Sequence, residues 1–232
     1  MKIRIKYFLQ LCLLACIFLS CDDNNSMHQK YLDEGETLYI GRVEGVGIQR
    51  GNERVRFMWL INSDPRVNRT VFKWAQNNKD TMVVIPITRD SSGFLIKETI
   101  LNIKEGIYTF KILNMDDENH ESLAVETTVQ IFGPKYISNL TNRNLSSSFA
   151  AGKLTIKWVS VESEYIQYVT VRYTDRTNPA NPVARSLVVE NSDTQTVIEG
   201  VEEDDVFSIS TAYLPEGGLD ILDAVPVEYT IR

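Results

Sequence analysis

One strand pattern occurs twice in this chain, 99 residues apart, and that interval limits the possible folds more than any other feature. Val55, Phe57 and Trp59 alternate with Arg54, Arg56 and Met58, and Leu154, Ile156 and Trp158 alternate with Lys153, Thr155 and Lys157. A period of two with one apolar side is the mark of a half-buried strand. Trp158 follows Trp59 by 99 positions, Tyr173 follows Trp74 by 99, and Phe207 and Ile209 follow Tyr108 and Phe110 by 99. A shared interval at three strands means a folding unit of that length carried in tandem. Turn residues about every ten positions, with no long helical period, predict that each unit is a seven-stranded β-sandwich. Gly133-Pro134 marks the boundary, because proline cannot join a central strand. The units run over 36–133 and 134–232.

The N-terminus sets an expectation about location. Met1 to Lys6 is short and basic, Tyr7 to Leu19 is an apolar run, and Ser20 precedes Cys21. That is the layout of a bacterial lipoprotein signal peptide, residues 1–20, cut between Ser20 and Cys21. The thiol of Cys21 then takes a diacylglycerol and its freed amine an acyl chain such as palmitate. An apolar run of about 13 residues is too short for the roughly 20 a membrane-spanning helix needs, whereas two or more acyl chains anchor stably. Residues 21–35 form the lipidated N-terminus and a polar tether. Cys12 and Cys16 leave with the signal peptide, so no thiol remains for a disulfide or a metal-thiolate site. Loss of Lys2, Arg4 and Lys6 takes the formal net charge from −7 to −10, which opposes nucleic-acid binding.

The residues also carry a resemblance. Trp59 stands where fibronectin type III domains keep their strand-B tryptophan. The run Ile103-Lys104-Glu105-Gly106-Ile107-Tyr108-Thr109-Phe110 is similar to their passage into strand F, where the resemblance implies a tyrosine corner at Tyr108. In the second unit Phe207 replaces that tyrosine and Glu202 to Asp205 replace the glycine turn. The fold class is therefore all-β, with two tandem Ig-like, fibronectin type III-like sandwiches after a signal peptide. Asp22-Asp23 resembles the export signal of Bacteroidota surface lipoproteins, which implies an outer-membrane anchor facing outward. Ser26 to Glu36, Trp59 to Pro65 and Gly133 to Ser138 resemble an uncharacterised family of such lipoproteins, carrying only a domain-of-unknown-function label. Its members often accompany glycan-uptake systems of the SusC/SusD type.

The chemistry-bearing residues favour binding over catalysis. His28 and His120 lie far apart and belong to no Ser/His/Asp or HExxH arrangement. No cofactor is expected. Trp59, Trp74 and Trp158 share the parity of their strands' apolar faces, which predicts burial. Phe94, after a Ser-Ser-Gly turn, and Tyr165, after Glu162-Ser163-Glu164, are the rings expected at the surface to meet a ligand. If strands B–C and F–G close at one end, Asp64 comes near Asp116, Asp117 and Glu118, a candidate calcium cluster. Asn178 and Asn181, in the C–C′ loop Arg176 to Pro182, share the opposite end with Glu202 to Asp205 and form a candidate contact tip. The expected function is a non-enzymatic, surface-exposed accessory module for glycan binding or uptake. Its partners are the outer membrane and a polysaccharide or SusC/SusD-type transporter. The alternative is a structural spacer or protein-interaction subunit.

Overall fold

The structure, a computed structural model, describes residues 39–76, 79–89, 93–161 and 163–232. The expected signal peptide, Ser20, Cys21 and the tether lie outside the described residues. Among the described residues no helix is long and apolar enough to cross a membrane.

The first unit is two antiparallel sheets. One has the order β1 (Val43–Gly51), β2 (Arg54–Ile61), β5 (Leu95–Asn102). The other has the order β4 (Lys79–Pro86), β3 (Arg69–Gln76), β6 (Gly106–Met115), β7 (Val125–Ile131). Strict alternation along β2 buries Val55, Phe57, Trp59 and Ile61 and leaves their neighbours half-buried. Facing them across the sandwich are Phe72, Trp74, Phe110 and Ile112. The rings meet edge-on or tilted, with Phe57 4.9 Å from Phe110 and Trp59 5.2 Å from Phe72. Such geometry sets the positive ring edge against the negative face.

After β7 a single helical turn, α1 (Pro134–Ser138), leads into the second unit. There β12 (Gln195–Glu199), β9 (Lys153–Trp158) and β8 (Leu145–Ala150) form the three-stranded sheet. The larger sheet runs β11 (Val183–Glu190), β10 (Ile166–Asp175), β13 (Val206–Tyr213), and two short strands share the far side of β13: β14 (Leu222–Asp223) and β15 (Val227–Thr230). The expected seventh strand is thus divided. Pro226, without an N–H, falls between its two pieces. The core is aliphatic apart from Trp158 and Phe207, which stacks on Tyr229 at 5.3 Å.

Two local expectations meet different outcomes. The three tryptophans are buried, at 1, 7 and 5% exposure for Trp59, Trp74 and Trp158. The tyrosine corner is absent among the described residues. A Cβ on Gly106 would stand 3.0–3.1 Å from the ring and hydroxyl of Tyr108, so this ring folds back over the glycine. Its hydroxyl takes part in none of the hydrogen bonds among the described residues.

The units meet through a dense joint within the single compact body Ile40–Arg232. The turn joining β1 to β2 receives the loop after β13: Arg50 N–H donates to Gly217 O (2.9 Å) and Leu219 N–H to Arg50 O (2.7 Å). The Asp220 carboxylate accepts from Asn52 N–H (2.8 Å) and Arg54 Nε (3.0 Å) and pairs with the Arg54 guanidinium. Gly51 permits this approach, since a Cβ there would lie 2.3 Å from Asp220 Oδ2. Gly133-Pro134 is likewise no loose link. The Glu105 carboxylate accepts from Lys135 N–H and Tyr136 N–H, each at 2.7 Å, and so caps α1 from another strand end.

Candidate functional site: a tyrosine-lined cleft at the joint

Three partly exposed tyrosines from different parts of the chain converge where the sandwiches meet. Tyr136 sits on α1, its ring 4.3 Å from that of buried Phe132. Tyr213 ends β13, and its hydroxyl donates to Thr141 O at 2.5 Å. Tyr165 precedes β10 at 38% exposure, with its carbonyl accepting from Leu214 N–H (2.8 Å). Together with Arg50, Gln130, Phe132 and Glu216 they line a cleft of about 410 Å³. A second lobe of about 370 Å³, lined by Ile107, Lys135, Tyr136, Asn139 and Gln130, shares Tyr136 and Gln130 with the first.

The cleft walls are mixed, with aromatic rings, Leu140 and Pro215 set among the polar side chains of Arg50, Gln130, Ser163 and Glu216. The Arg50 guanidinium lies 5.1 Å over the Phe132 ring and donates to Glu216 O, so its charge is held in the wall. The Tyr165 phenol faces the carboxylates of Glu216 and Glu164, whose negative charges, with partial desolvation, raise its pKa above the usual tyrosine value. Flat rings beside a few hydrogen-bonding groups suit a flat, hydroxyl-rich ligand, whose C–H face packs on a ring while its edges bond.

A larger concavity, about 630 Å³, lies on the outer face of β4, β3 and β6, lined by Lys73, Ala75, Met82, Thr109 and Lys111 with the edge of Trp74. Its two lysines are paired with Glu121 and Glu126. Among the described residues the buried Trp74 Nε1 has no hydrogen-bond partner, and no exposed ring lines the concavity.

Of the residues singled out by sequence, the structure brings Tyr165 into the cleft. Phe94 is 67% exposed just before β5 and lines none of these concavities. Asn178 and Asn181 are exposed, and Asn178 closes its own turn by accepting from Asn181 N–H (2.9 Å) and Ala180 N–H (3.3 Å). The tip loops do meet: Arg176 binds both oxygens of Asp205 at 2.8–3.0 Å. At the other end Asp64 and the 116–118 loop also come together, around a guanidinium. Arg66 binds Asp64 at 2.8 and 3.0 Å and also feels the charge of Asp116. Asp116 accepts from the backbone of Glu118 and His120 and pairs with His120 Nδ1 at 2.8 Å, while Asp117 accepts from Asn68. Among the described residues no three of His, Cys, Asp or Glu gather as a metal site.

Tyr136, Tyr213 and Phe132 were not singled out by sequence. Tyr213 takes the inward-outward boundary of a strand end and Tyr136 a one-turn helix, and neither position has a periodic signature.

Comparison with known proteins gives a family and a set of distant likenesses. A family model described as a domain of unknown function matches residues 21–221. No curated protein matches the chain. Among solved structures, the FN1–FN3 domains of chicken CNTN1 share 12% identity at a TM-score of 0.37, covering 85% of this chain and 69% of that one. A two-domain fibronectin type III segment of chicken tenascin shares 13% at a TM-score of 0.35, covering 82% and 99%. The chicken interferon gamma receptor alpha chain shares 14% at 0.34, covering 83% and 98%.

Proposed function

The chain belongs to the DUF4998 family, a domain of unknown function, and from that premise we propose that it is a non-enzymatic, lipid-anchored cell-surface protein that binds glycans. The observation that carries this reading is the convergence of Tyr136, Tyr165 and Tyr213 on one cleft. The rings come from three separate segments, and the clamp at Asp220 holds the two sandwiches that present them. A rigid, pre-formed site loses little entropy when it binds. The address rests on the basic, apolar and Ser20-Cys21 succession, and the family match opens at Cys21. Two acidic residues after that cysteine support an outward-facing anchor in the outer membrane. Accessory service to a SusC/SusD-type transporter is the context in which such a module acts.

Two measurements test this. Growth on labelled palmitate is expected to mark the wild-type protein and leave Cys21→Ala unlabelled; equal labelling overturns the anchor. Affinity electrophoresis of the full chain in detergent through gels holding soluble polysaccharides is expected to show retardation in at least one. Free migration in every gel overturns glycan binding. The stiff joint also favours a second reading, a spacer that holds a partner at fixed distance. Co-purification with an outer-membrane transporter after crosslinking, without glycan retardation, is its expected result.

A further inference from the structure

We infer that the cleft takes an internal stretch of an uncharged polysaccharide, which crosses from one lobe to the other over Tyr136 and stacks on Tyr165; this rests on the glycan reading above. The argument begins with shape. The two lobes, about 410 and 370 Å³, lie side by side, with Tyr136 and Gln130 lining both. Each is the size of an ordinary small-ligand pocket. A ligand filling both is longer than one sugar, and both lobes are open to solvent rather than enclosed.

Charge selects the class. The groups facing the cleft are Arg50, Glu216 and Glu164 around the first lobe and Lys135 and Glu105 around the second. Arg50 is engaged by Phe132 and Glu216 O, and Glu105 by the α1 backbone. The exposed carboxylates of Glu164 and Glu216 stand at Tyr165, the most open ring of the three. On a chain whose formal net charge is −7, and −10 once residues 1–20 are removed, they oppose uronate and sulfate groups at short and long range. An uncharged sugar meets no such opposition. Its hydroxyls find Gln130, Asn139 and Glu216 at the edges, while its C–H faces cover the rings.

The test uses the full chain in detergent with starch, β-glucan, mannan and arabinan as uncharged probes. Polygalacturonate and chondroitin sulfate serve as anionic probes, and the tetrasaccharide and monosaccharide of any polymer bound are compared. The expected result is binding of an uncharged polymer, with the tetrasaccharide at least tenfold tighter than the monosaccharide. Tyr165→Ala and Gln130→Arg are each expected to weaken it at least tenfold with an unchanged melting temperature. Gln130 is exposed on β7, so the arginine obstructs the passage without entering the core. Tyr136→Ala adds a check, but its contact with Phe132 makes Gln130→Arg the cleaner variant. Preference for the anionic probes, equal affinity for mono- and tetrasaccharide, or indifference to both clean variants overturns this inference and leaves glycan binding standing. Absence of binding to every probe overturns both.

Discussion

At the residue scale, the repeat preserves the buried tryptophan and changes its hydrogen bond. Trp59 Nε1 donates to Thr70 Oγ1 (3.1 Å), and that hydroxyl donates to Asn114 Oδ1 (2.8 Å), both side chains being fully buried. The position 99 residues beyond Thr70 is Val169, which offers no acceptor. Trp158 turns instead to Thr196 Oγ1 (2.8 Å) on β12, whose register counterpart in the first sandwich is Thr99 on β5. Thr70→Val strands two buried polar groups and is expected to cost about 2 kcal/mol by denaturant unfolding. Thr196→Val, at a half-buried site, is expected to cost about 1 kcal/mol. Asp64 supplies a pH prediction. Hydrogen bonding from Arg66 lowers its pKa to about 2, below the unfolded value near 4. A lowered folded-state pKa gives stability that is present above about pH 4 and lost as pH falls toward about 2. Melting temperature is expected to fall across that window, and less steeply in Asp64→Asn.

At the element scale, the short helix between the sandwiches is held by a carboxylate remote in sequence. Gly133 carries no side-chain cap for α1, and a Cβ on it would lie 2.6 Å from Glu105 Cβ. Glu105 therefore reaches over the glycine to bind the first free N–H groups of the turn. Its removal in Glu105→Ala is expected to destabilise the turn by about 1 kcal/mol. Gly133→Ala is expected to have the same effect by displacing the carboxylate. Both shift Tyr136 away from Phe132, and loss of the mutual ring-current shifts in nuclear magnetic resonance spectra is the measurement. Ring shifts unchanged from wild type would remove the helix from the account of the cleft. Edge chemistry also explains the divided last strand of the second sandwich. Its gap is fastened by Ala224 N–H to Thr211 O (2.9 Å) and Ser210 Oγ to Ala224 O (2.7 Å).

At the scale of the whole molecule, Asp220 is the residue on which the cleft's shape depends. It binds the β1–β2 turn through one backbone and two side-chain donors, and Arg54 and Asn52 hold its pKa below the ordinary carboxylate value. Asp220→Ala is expected to speed amide hydrogen exchange at Asn52 and Leu219 about tenfold, with the core amides of β2 and β9 unaffected. Glycan affinity is expected to fall with it, because the walls bearing Arg50 and Glu216 are then held only by the bonds of Arg50 itself to Glu216 O, Gly217 O and Leu219 N–H. Unchanged exchange at both amides would mean that the clamp is redundant. Because the folded-state pKa of Asp220 is lowered, the stability this carboxylate lends the joint is present at neutral pH and is lost as pH falls through that lowered value.

How much of this was readable in advance follows from the range of the interactions. Alternation along β2 and β9, and the 99-residue interval, specify the strands, the buried tryptophans and the tandem arrangement, because side-chain period and burial are local consequences of a pleated strand. The meeting of Asp64 with the 116–118 loop, and of Arg176 with Asp205, follows from strand order alone. Tyr165 was visible as a ring beside acidic residues in a loop. The cleft itself was not visible. Its walls come from positions 50, 130, 136, 165, 213 and 216, and no local pattern relates residues so far apart. They become neighbours only when Asp220 crosses to Gly51 and Glu105 to α1, contacts set by close approach at two glycines. Pattern along the chain determined the two sandwiches, and packing between them decided where a ligand has room.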